Sequence, residues 1–365
     1  MHGIVNRTLV KDKMYNTFPS VTRAADGKLV LVYRQAIDRQ QEFGKRTHVD
    51  PSSCVAMITS YDNGESWTEP EVIYNDEMGE QDPCIVCLSD GTLICTFFRW
   101  KVVPKEDKEL LGPSFDYYGR IVFDKWASVH VGTMCIRSED NGKTWNGPFP
   151  IKPDCFQGPA AMRGNVIELM DGTLLAPLYA TKKYGDLSQS LVAASNDEGK
   201  SWHYLGEVPA VADHHFVEPF IYRAPSGRID ILMRTQLDFF KYPFDETYCN
   251  LHISHSFDNG RTWTIPEETD LFCPNPVNVL NIDSTKVLFT YGQRKDPKGI
   301  EWFITDAEKP LISKNEVKML RLAGAGADDL GYTSAVKLSD SRVLIVYYMT
   351  DSDNSACIGA SFLEI

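Results

Sequence analysis

Four copies of one eight-residue pattern, S-x-D-x-G-x-[ST]-W, run through the chain and constrain its fold more than any other feature. They read Ser60-Tyr-Asp62-Asn-Gly64-Glu-Ser-Trp67, Ser138-Glu-Asp140-Asn-Gly142-Lys-Thr-Trp145, Ser195-Asn-Asp197-Glu-Gly199-Lys-Ser-Trp202 and Ser256-Phe-Asp258-Asn-Gly260-Arg-Thr-Trp263. Their starts are separated by 78, 57 and 61 residues, about the length of one four-stranded propeller blade. The chemistry suits a tight hairpin corner. The Asp accepts backbone N–H groups across its own turn, the Gly supplies a positive φ, and the Trp folds back over the apolar side of the blade.

A second punctuation recurs independently. Apolar strands meet at Asp26-Gly27, Asp90-Gly91, Asp171-Gly172, Ser226-Gly227, Asp283-Ser284 and Asp340-Ser341. Such dipeptides between β-rich runs are hairpin turns, and six of them predict six blades. The expected fold is all-β, a six-bladed β-propeller of four-stranded antiparallel blades that uses residues 1–365 as one domain. Thr305-Asp306 reads as a degenerate fifth copy of the corner motif. The final strand, Ala356 to Leu363, is expected to close the ring beside N-terminal material. The longest excursion, Lys101 to Lys125, reads either as the lining of a substrate mouth or as a solvated loop.

A hydrophobic content of 43% over 365 residues is enough for a large core, and a net charge of −13 argues against nucleic acid or an anionic membrane surface as partner. No apolar run is long enough to span a membrane, and Met1 to Val10 has no signal-peptide core. Nine cysteines, most among β-prone neighbours, read as reduced thiols of a cytoplasmic protein, or of a secreted one if a signal has been removed. Cys84-x-x-Cys87 lies in a strand-like run that sends its two side chains to opposite faces, so it reads as structural.

Three stretches place reactive side chains where a core has no need of them. They are Arg46-Thr-His48-Val-Asp50 with Gly79-Glu-Gln-Asp82-Pro83, His214-His215-Phe-Val-Glu218-Pro219 with Arg234, and Thr290-Tyr291-Gly-Gln-Arg294 with Asp328-Asp329-Leu-Gly331-Tyr332. Each has a plain alternative. Tyr332 can be a strand-end aromatic, Arg234 and Arg294 can link blades as ion pairs, and Asp50 and Asp82 are good turn formers. Glu218, before a proline and among Phe216, Val217 and Phe220, is harder to place structurally. His48, His214 and His215 lack a metal-ligand spacing, and no metal or cofactor is expected. Arg163-Gly164-Asn165 is a further channel candidate.

The corner motif resembles the Asp-box, or BNR repeat, and the whole chain resembles the sialidase superfamily through a thin thread of such motifs. That resemblance implies a tyrosine nucleophile polarised by a glutamate, an aspartate acid/base, and three arginines that clamp a substrate carboxylate. Here it implies Tyr332 as nucleophile, Glu218 as its base, Asp50 as acid/base, Arg234 and Arg294 as clamp arginines, and Asp82, which matches the family's Asp-Pro, in substrate binding; His48, outside that pattern, is a candidate for reading a different sugar. A phenol needs a carboxylate to take its proton, and it suits an anomeric centre that already carries a negative group. The chain departs from the family at one ion pair. Thr17 stands where the first arginine is expected, and Tyr348 where its supporting glutamate is expected, with Arg34 nearby as a replacement. Removing both partners together avoids leaving a lone buried charge.

Three functions follow as expectations. The first is an exo-acting retaining glycoside hydrolase that releases a terminal acidic sugar, a sialic acid or related ulosonic acid, from a glycan. The second is the same enzyme class acting on a uronic acid or deoxy-sugar terminus. The third is a non-catalytic glycan-binding propeller, which would display aromatic residues such as Tyr117, Tyr118 and Trp126 on an open face.

Overall fold

The computed structural model describes residues 3–183, 185–238, 241–243, 247–309, 317–324, 328–351 and 353–365. Its strands form six antiparallel sheets, each built in chain order. Blade one comprises Met14–Arg23, Leu29–Ile37, Cys54–Ser60 and Glu71–Tyr74. Blade two comprises Gly79–Cys87, Leu93–Pro104, Trp126–Ser138 and Asn146–Ile151, with the short strand Arg120–Val122 added on Trp126–Ser138. Blade three runs through Ile167–Glu168, Leu174–Thr181, Ser188–Ser195 and His203–Glu207. Blade four runs through His214–Arg223, Ile229–Leu237, Asn250–Ser256 and Glu267–Phe272. Blade five holds Asn278–Asn281, Lys286–Gln293, Gly299–Asp306 and Lys318–Leu322.

Blade six takes Gly331–Ser339, Arg342–Thr350 and Ala356–Glu364 from the C-terminal end and its outermost strand, Ile4–Val10, from the N-terminal end. Ile4 lies opposite Leu363 and Arg7 opposite Ala360. This shared blade closes the ring as the sequence predicts, and it leaves the first and last sheets without a mutual edge. All six expected hairpins fall between the first and second strands of their blades.

Strand periodicity explains the packing between blades. Leu29 and Leu31 point toward blade six and join Leu344, Val346, Ile358 and Ala360. The alternate residues Val30 and Val32 point the other way and join Ile85, Leu93, Cys95 and Phe97 of blade two. A two-residue repeat on a strand buried on both faces requires this division. Side chains also tie the inner strands: Val21 N–H donates to Ser334 Oγ, and Ile85 N–H donates to Ser20 Oγ, both at 3.1 Å.

The four motif corners share one hydrogen-bond scheme. In the first, Asp62 Oδ1 accepts from Ser66 N–H at 2.9 Å and from Ser60 Oγ at 2.8 Å, while Gly64 N–H donates to Ser60 Oγ. In three of the corners the tryptophan Nε1 also donates to the glycine carbonyl, as Trp67 does to Gly64 O at 3.1 Å, whereas Trp145 Nε1 in the second meets no acceptor among the described residues. The four glycines have φ between 85° and 88°, which a side chain would oppose. The degenerate fifth corner keeps only part of the scheme, with Asp306 Oδ1 accepting from Glu308 and Lys309 N–H.

One buried acid of this scaffold gives a direct stability prediction. Glu80, on the first strand of blade two, is fully buried; among the described residues its carboxyl oxygens meet no N–H or hydroxyl donor of suitable geometry, and its hydrogen-bonding neighbour is the Asp76 carboxylate, which needs Glu80 to carry the proton. Burial first, and then the neighbouring Asp76, push its pKa up to about 9. In the unfolded chain it ionises near ~4.3. The folded form therefore holds the extra proton between those values, and stability falls as pH rises through that window. Glu80→Gln keeps the neutral shape at every pH. Its melting temperature should exceed that of the native protein, with a gap that widens from pH 5 to pH 9. A gap of constant size across that range would refute the assignment.

Candidate functional site

The inner strands carry one repeated distortion. A register shift interrupts the pairing of the first and second strands between Thr17 and Ser20, Gln81 and Cys84, Val217 and Phe220, and Gly331 and Ser334. Inside these four bulges Phe18, Asp82, Glu218 and Tyr332 have φ of 55°, 53°, 47° and 52°. Such left-handed conformations cost a non-glycine residue on the order of 1–3 kcal/mol each, and they concentrate where geometry serves a purpose. Each residue stands eight positions before the first residue of its blade's hairpin turn. The same offset selects Arg163 in blade three and Asn275 in blade five. Six equivalent positions therefore present Phe, Asp, Arg, Glu, Asn and Tyr, all less than a tenth exposed.

Arg163 draws these positions together. One of its Nη atoms donates to Pro19 O (3.1 Å) and Tyr332 O (3.0 Å), and the other donates to Pro83 O at 3.3 Å. Its guanidinium also lies 5.2 Å from the Tyr332 ring centroid. The backbones beside Phe18 and Asp82, and that of Tyr332 itself, thus meet on a single cation.

The Tyr332 hydroxyl donates to Glu218 Oε1 at 2.6 Å, and Arg234 Nη1 pairs with Glu218 Oε2, also at 2.6 Å. Burial works to raise the pKa of Glu218, but Arg234 and the tyrosine hydroxyl outweigh it and hold the carboxylate below its usual range. Burial and the adjacent Glu218 hold the Tyr332 phenol well above its usual value. The pair is thus a protonated phenol delivering its proton toward an ionised, oriented carboxylate.

Asp82 is fully buried, and among the described residues neither of its carboxyl oxygens meets a hydrogen-bond donor of suitable geometry. Burial is the main influence on it, Arg163 pulls its pKa down and Glu218 pushes it up, with a net rise to about 8. Asp50 is also buried but fully engaged. It accepts from Arg39 Nε at 2.9 Å, from Ser52 N–H at 2.8 Å and from Ser52 Oγ at 2.7 Å.

The cations differ in how far they are satisfied. Arg34 is fully buried and directly opposite Thr17 across the strand pair, so the small threonine leaves room for it. Only its Nη2 finds an acceptor, Thr47 O at 3.5 Å; Nε and Nη1 meet none among the described residues. The guanidinium lies 5.4 Å from the Tyr15 ring centroid. Burial lowers its pKa, opposed by Tyr15, Asp50, Asp82 and Asp329. Arg294 donates to Leu330 O at 3.2 Å, and its Nε meets no acceptor among the described residues.

Beside this group lies a cleft of about 710 Å³, whose lining includes Tyr15, Lys45, Arg46, His48, Arg120 and Asp329. Asp329 accepts hydrogen bonds from Tyr15 Oη and from Tyr348 Oη (2.7 Å), with His48 Nε2 at 3.2 Å. These partners, His48 foremost, overcome burial and hold the carboxylate well below its usual range. Phe18 packs edge-on against Tyr332, Tyr348 and His48, joining the cleft wall to the Tyr332 pair. Arg120 and Phe123 come from the long excursion, so part of Lys101 to Lys125 lines this cleft while Leu110 and Tyr117 face solvent.

Of the residues singled out in the sequence, the structure brings Tyr332, Glu218 and Arg234 into one cluster, with Arg294 and Asp82 acting on it electrostatically and Arg34 acting on Asp82. The structure puts Asp50 in a separate bonded turn and His48 in the cleft. His215 accepts from Ser188 N–H, and His214 Nδ1 bonds Ala212 O, both away from the cluster. Sequence reasoning overlooked Tyr15, Phe18 and Asn275, and saw Arg163 only as a further candidate. The constant eight-residue offset from the hairpin turns was the signal that would have found Phe18, Arg163 and Asn275.

The fold and this ring of inward-facing polar groups define a propeller of the type shared by sialidases and arabinanases. The model for the BNR repeat-like domain matches residues 117–343, and the chain belongs to that family. A protein of unknown function from Dyadobacter fermentans is 30% identical, with a TM-score of 0.85 covering 100% of this chain and 99% of that one. The NanB sialidase from Streptococcus pneumoniae has a TM-score of 0.68 at 13% identity, over 98% of this chain and 70% of that one. An α-L-arabinanase from Penicillium chrysogenum, crystallised with arabinobiose, has a TM-score of 0.64 at 12% identity, over 99% and 98%. At such identities the last two likenesses describe the fold. Comparison with curated protein sequences finds no match.

Proposed function

We propose that this protein is a retaining exo-glycosidase that removes a terminal acidic sugar from a glycan. The observation that carries the reading is the 2.6 Å hydrogen bond from the Tyr332 hydroxyl to Glu218, whose other oxygen is held by Arg234. Tyr332 Oη attacks the anomeric carbon as its proton passes to Glu218. A glycosyl-tyrosine forms, and water then releases the sugar with its original configuration. A sugar carboxylate suits the remaining electrostatics, because Arg34 and Arg294 hold buried N–H groups that no acceptor among the described residues fills.

A second reading, a neutral or deoxy-sugar terminus, has its own support. Thr17 and Tyr348 replace the expected arginine and glutamate, Tyr348 is bonded to Asp329, and Phe18 adds an apolar wall. The two readings differ in a simple assay. Umbelliferyl glycosides of a sialic acid, a uronic acid and a neutral pentose should show turnover of the sialic acid glycoside, with the retained anomer as first product by proton NMR. Turnover of the neutral glycoside alone would favour the second reading, and turnover of none would overturn both. Arg34→Met should raise KM for the acidic substrate about tenfold to a hundredfold, the worth of a hydrogen bond to a charged group. An unchanged KM would remove Arg34 from the substrate site.

A further inference from the structure

We infer that Asp82, and not Asp50, is the proton donor to the leaving group and the base toward water in this site. The inference rests on the glycosidase reading above. A general acid needs a labile proton, a free lone pair and a place beside the nucleophile. Asp50 is poorly suited, since its two oxygens already accept from Arg39, Ser52 N–H and Ser52 Oγ. Protonating it would break the ion pair to Arg39.

Asp82 meets each requirement. It occupies the same strained bulge position in blade two that Glu218 and Tyr332 occupy in blades four and six, with φ of 53° against 47° and 52°. Arg163 binds the carbonyl of the following residue, Pro83, and the carbonyl of Tyr332 with one guanidinium, so the two bulges are neighbours. Both Asp82 oxygens are essentially fully buried and meet no donor of good geometry among the described residues, with the Gln81 side chain a polar influence on them, so a lone pair and a proton remain available to a substrate. The charged and titratable groups that act on it are Arg163, Glu218 and Arg34, with Tyr332, Tyr179 and Cys84 also responding to its charge.

The environment separates the two carboxyl groups in opposite directions. Arg234 and the tyrosine hydroxyl keep Glu218 ionised, whereas burial keeps Asp82 protonated at neutral pH. Two acids pushed apart in this way are the arrangement that assigns one as base and the other as acid. In the first step the Tyr332 oxygen bonds to the anomeric carbon, the bond to the leaving oxygen breaks, the phenolic proton passes to Glu218, and the Asp82 proton passes to the leaving oxygen. In the second step water attacks the anomeric carbon and gives a proton to Asp82. The bond to Tyr332 breaks, and Glu218 returns its proton to the phenolate.

The test compares the native protein, Asp82→Asn and Asp50→Asn on two glycosides of one sugar, one with umbelliferone and one with benzyl alcohol as leaving group. The phenol needs little protonation and the alcohol needs much. D82N should lose roughly 10²–10⁴-fold on the benzyl glycoside and far less on the umbelliferyl one. Added azide should restore turnover of the umbelliferyl glycoside by D82N and give the glycosyl azide of retained configuration. The alkaline limb of the native kcat/KM profile should be absent in D82N.

The neutral side chain should also melt higher than native at pH 8. The raised acid favours the native state fully below its unfolded value near ~3.9 and loses that advantage as pH rises toward the folded one. A D82N protein that loses both substrates equally without azide rescue, or that melts lower than native, overturns the inference. So does the leaving-group pattern appearing in D50N. A native protein inactive on both glycosides overturns the glycosidase reading together with this one, whereas active native protein with an unaffected D82N overturns this one alone.

Discussion

Replacing Tyr332 by phenylalanine is expected to reduce turnover by on the order of 10³-fold or more while leaving the propeller folded. The ring stays in the same aromatic setting, edge-on to Phe18 at 4.6 Å between centroids, so the loss is confined to one oxygen. That oxygen is the group able to bond the anomeric carbon. Glu218 then keeps its bond to Arg234 and loses the donor on its other oxygen. A buried acceptor left open costs about 1–3 kcal/mol, enough for a measurable fall in melting temperature but not for unfolding. Glu218→Gln should show a similar kinetic loss for a different reason, because an amide does not take the phenolic proton. Rates on the umbelliferyl glycoside and thermal melts followed by circular dichroism check both variants. Phenylalanine at this position with more than a few per cent of native turnover would sink the tyrosine mechanism.

Why this pair was readable from the sequence, and other features were not, follows from where the information lies. Hairpin dipeptides and corner motifs are local. Asp26-Gly27 or Ser60 to Trp67 fixes its own turn, and six such turns fix the blade count. Tyr332 and Glu218 stood out because a phenol after a glycine and an acid before a proline interrupt apolar strands. The ring of equivalent positions is not local in this sense. Phe18, Asp82, Arg163, Glu218, Asn275 and Tyr332 share an offset and no residue type, and a left-handed φ at a bulky residue has no composition to announce it. Asp50 shows a further gap. Its carboxylate is claimed by Arg39, at the start of the short helix Gln40–Phe43, and that helix depends on packing rather than on any strand pattern. Likewise the sequence names Arg34 as a neighbour of Thr17, but its place directly across the strand pair from that residue comes only from the strand register.

Arg163→Met is expected to be the most destabilising single change in the site, by about 3–5 kcal/mol, and to remove activity as well. Arg163 comes from blade three but satisfies Pro19 O, Pro83 O and Tyr332 O in blades one, two and six. A methionine fills much of the volume and supplies no donor, so three buried carbonyls lose a partner together. Lysine should rescue little, since a single ammonium does not reproduce the planar spread that lets two Nη atoms reach opposite directions. The strain at the bulges makes the effect more than additive. Phe18, Asp82 and Tyr332 hold positive φ values that each cost energy, and hydrogen bonds from Arg163 to these bulges oppose their relaxation. Without that cation Tyr332 would swing from Glu218 even in molecules that remain folded. Urea denaturation should therefore show a lower midpoint for R163M, and the activity of the folded fraction, measured well below that midpoint, should be far under the native value. An R163M protein with native turnover and a midpoint equal to native would mean that the bulges hold their shape alone.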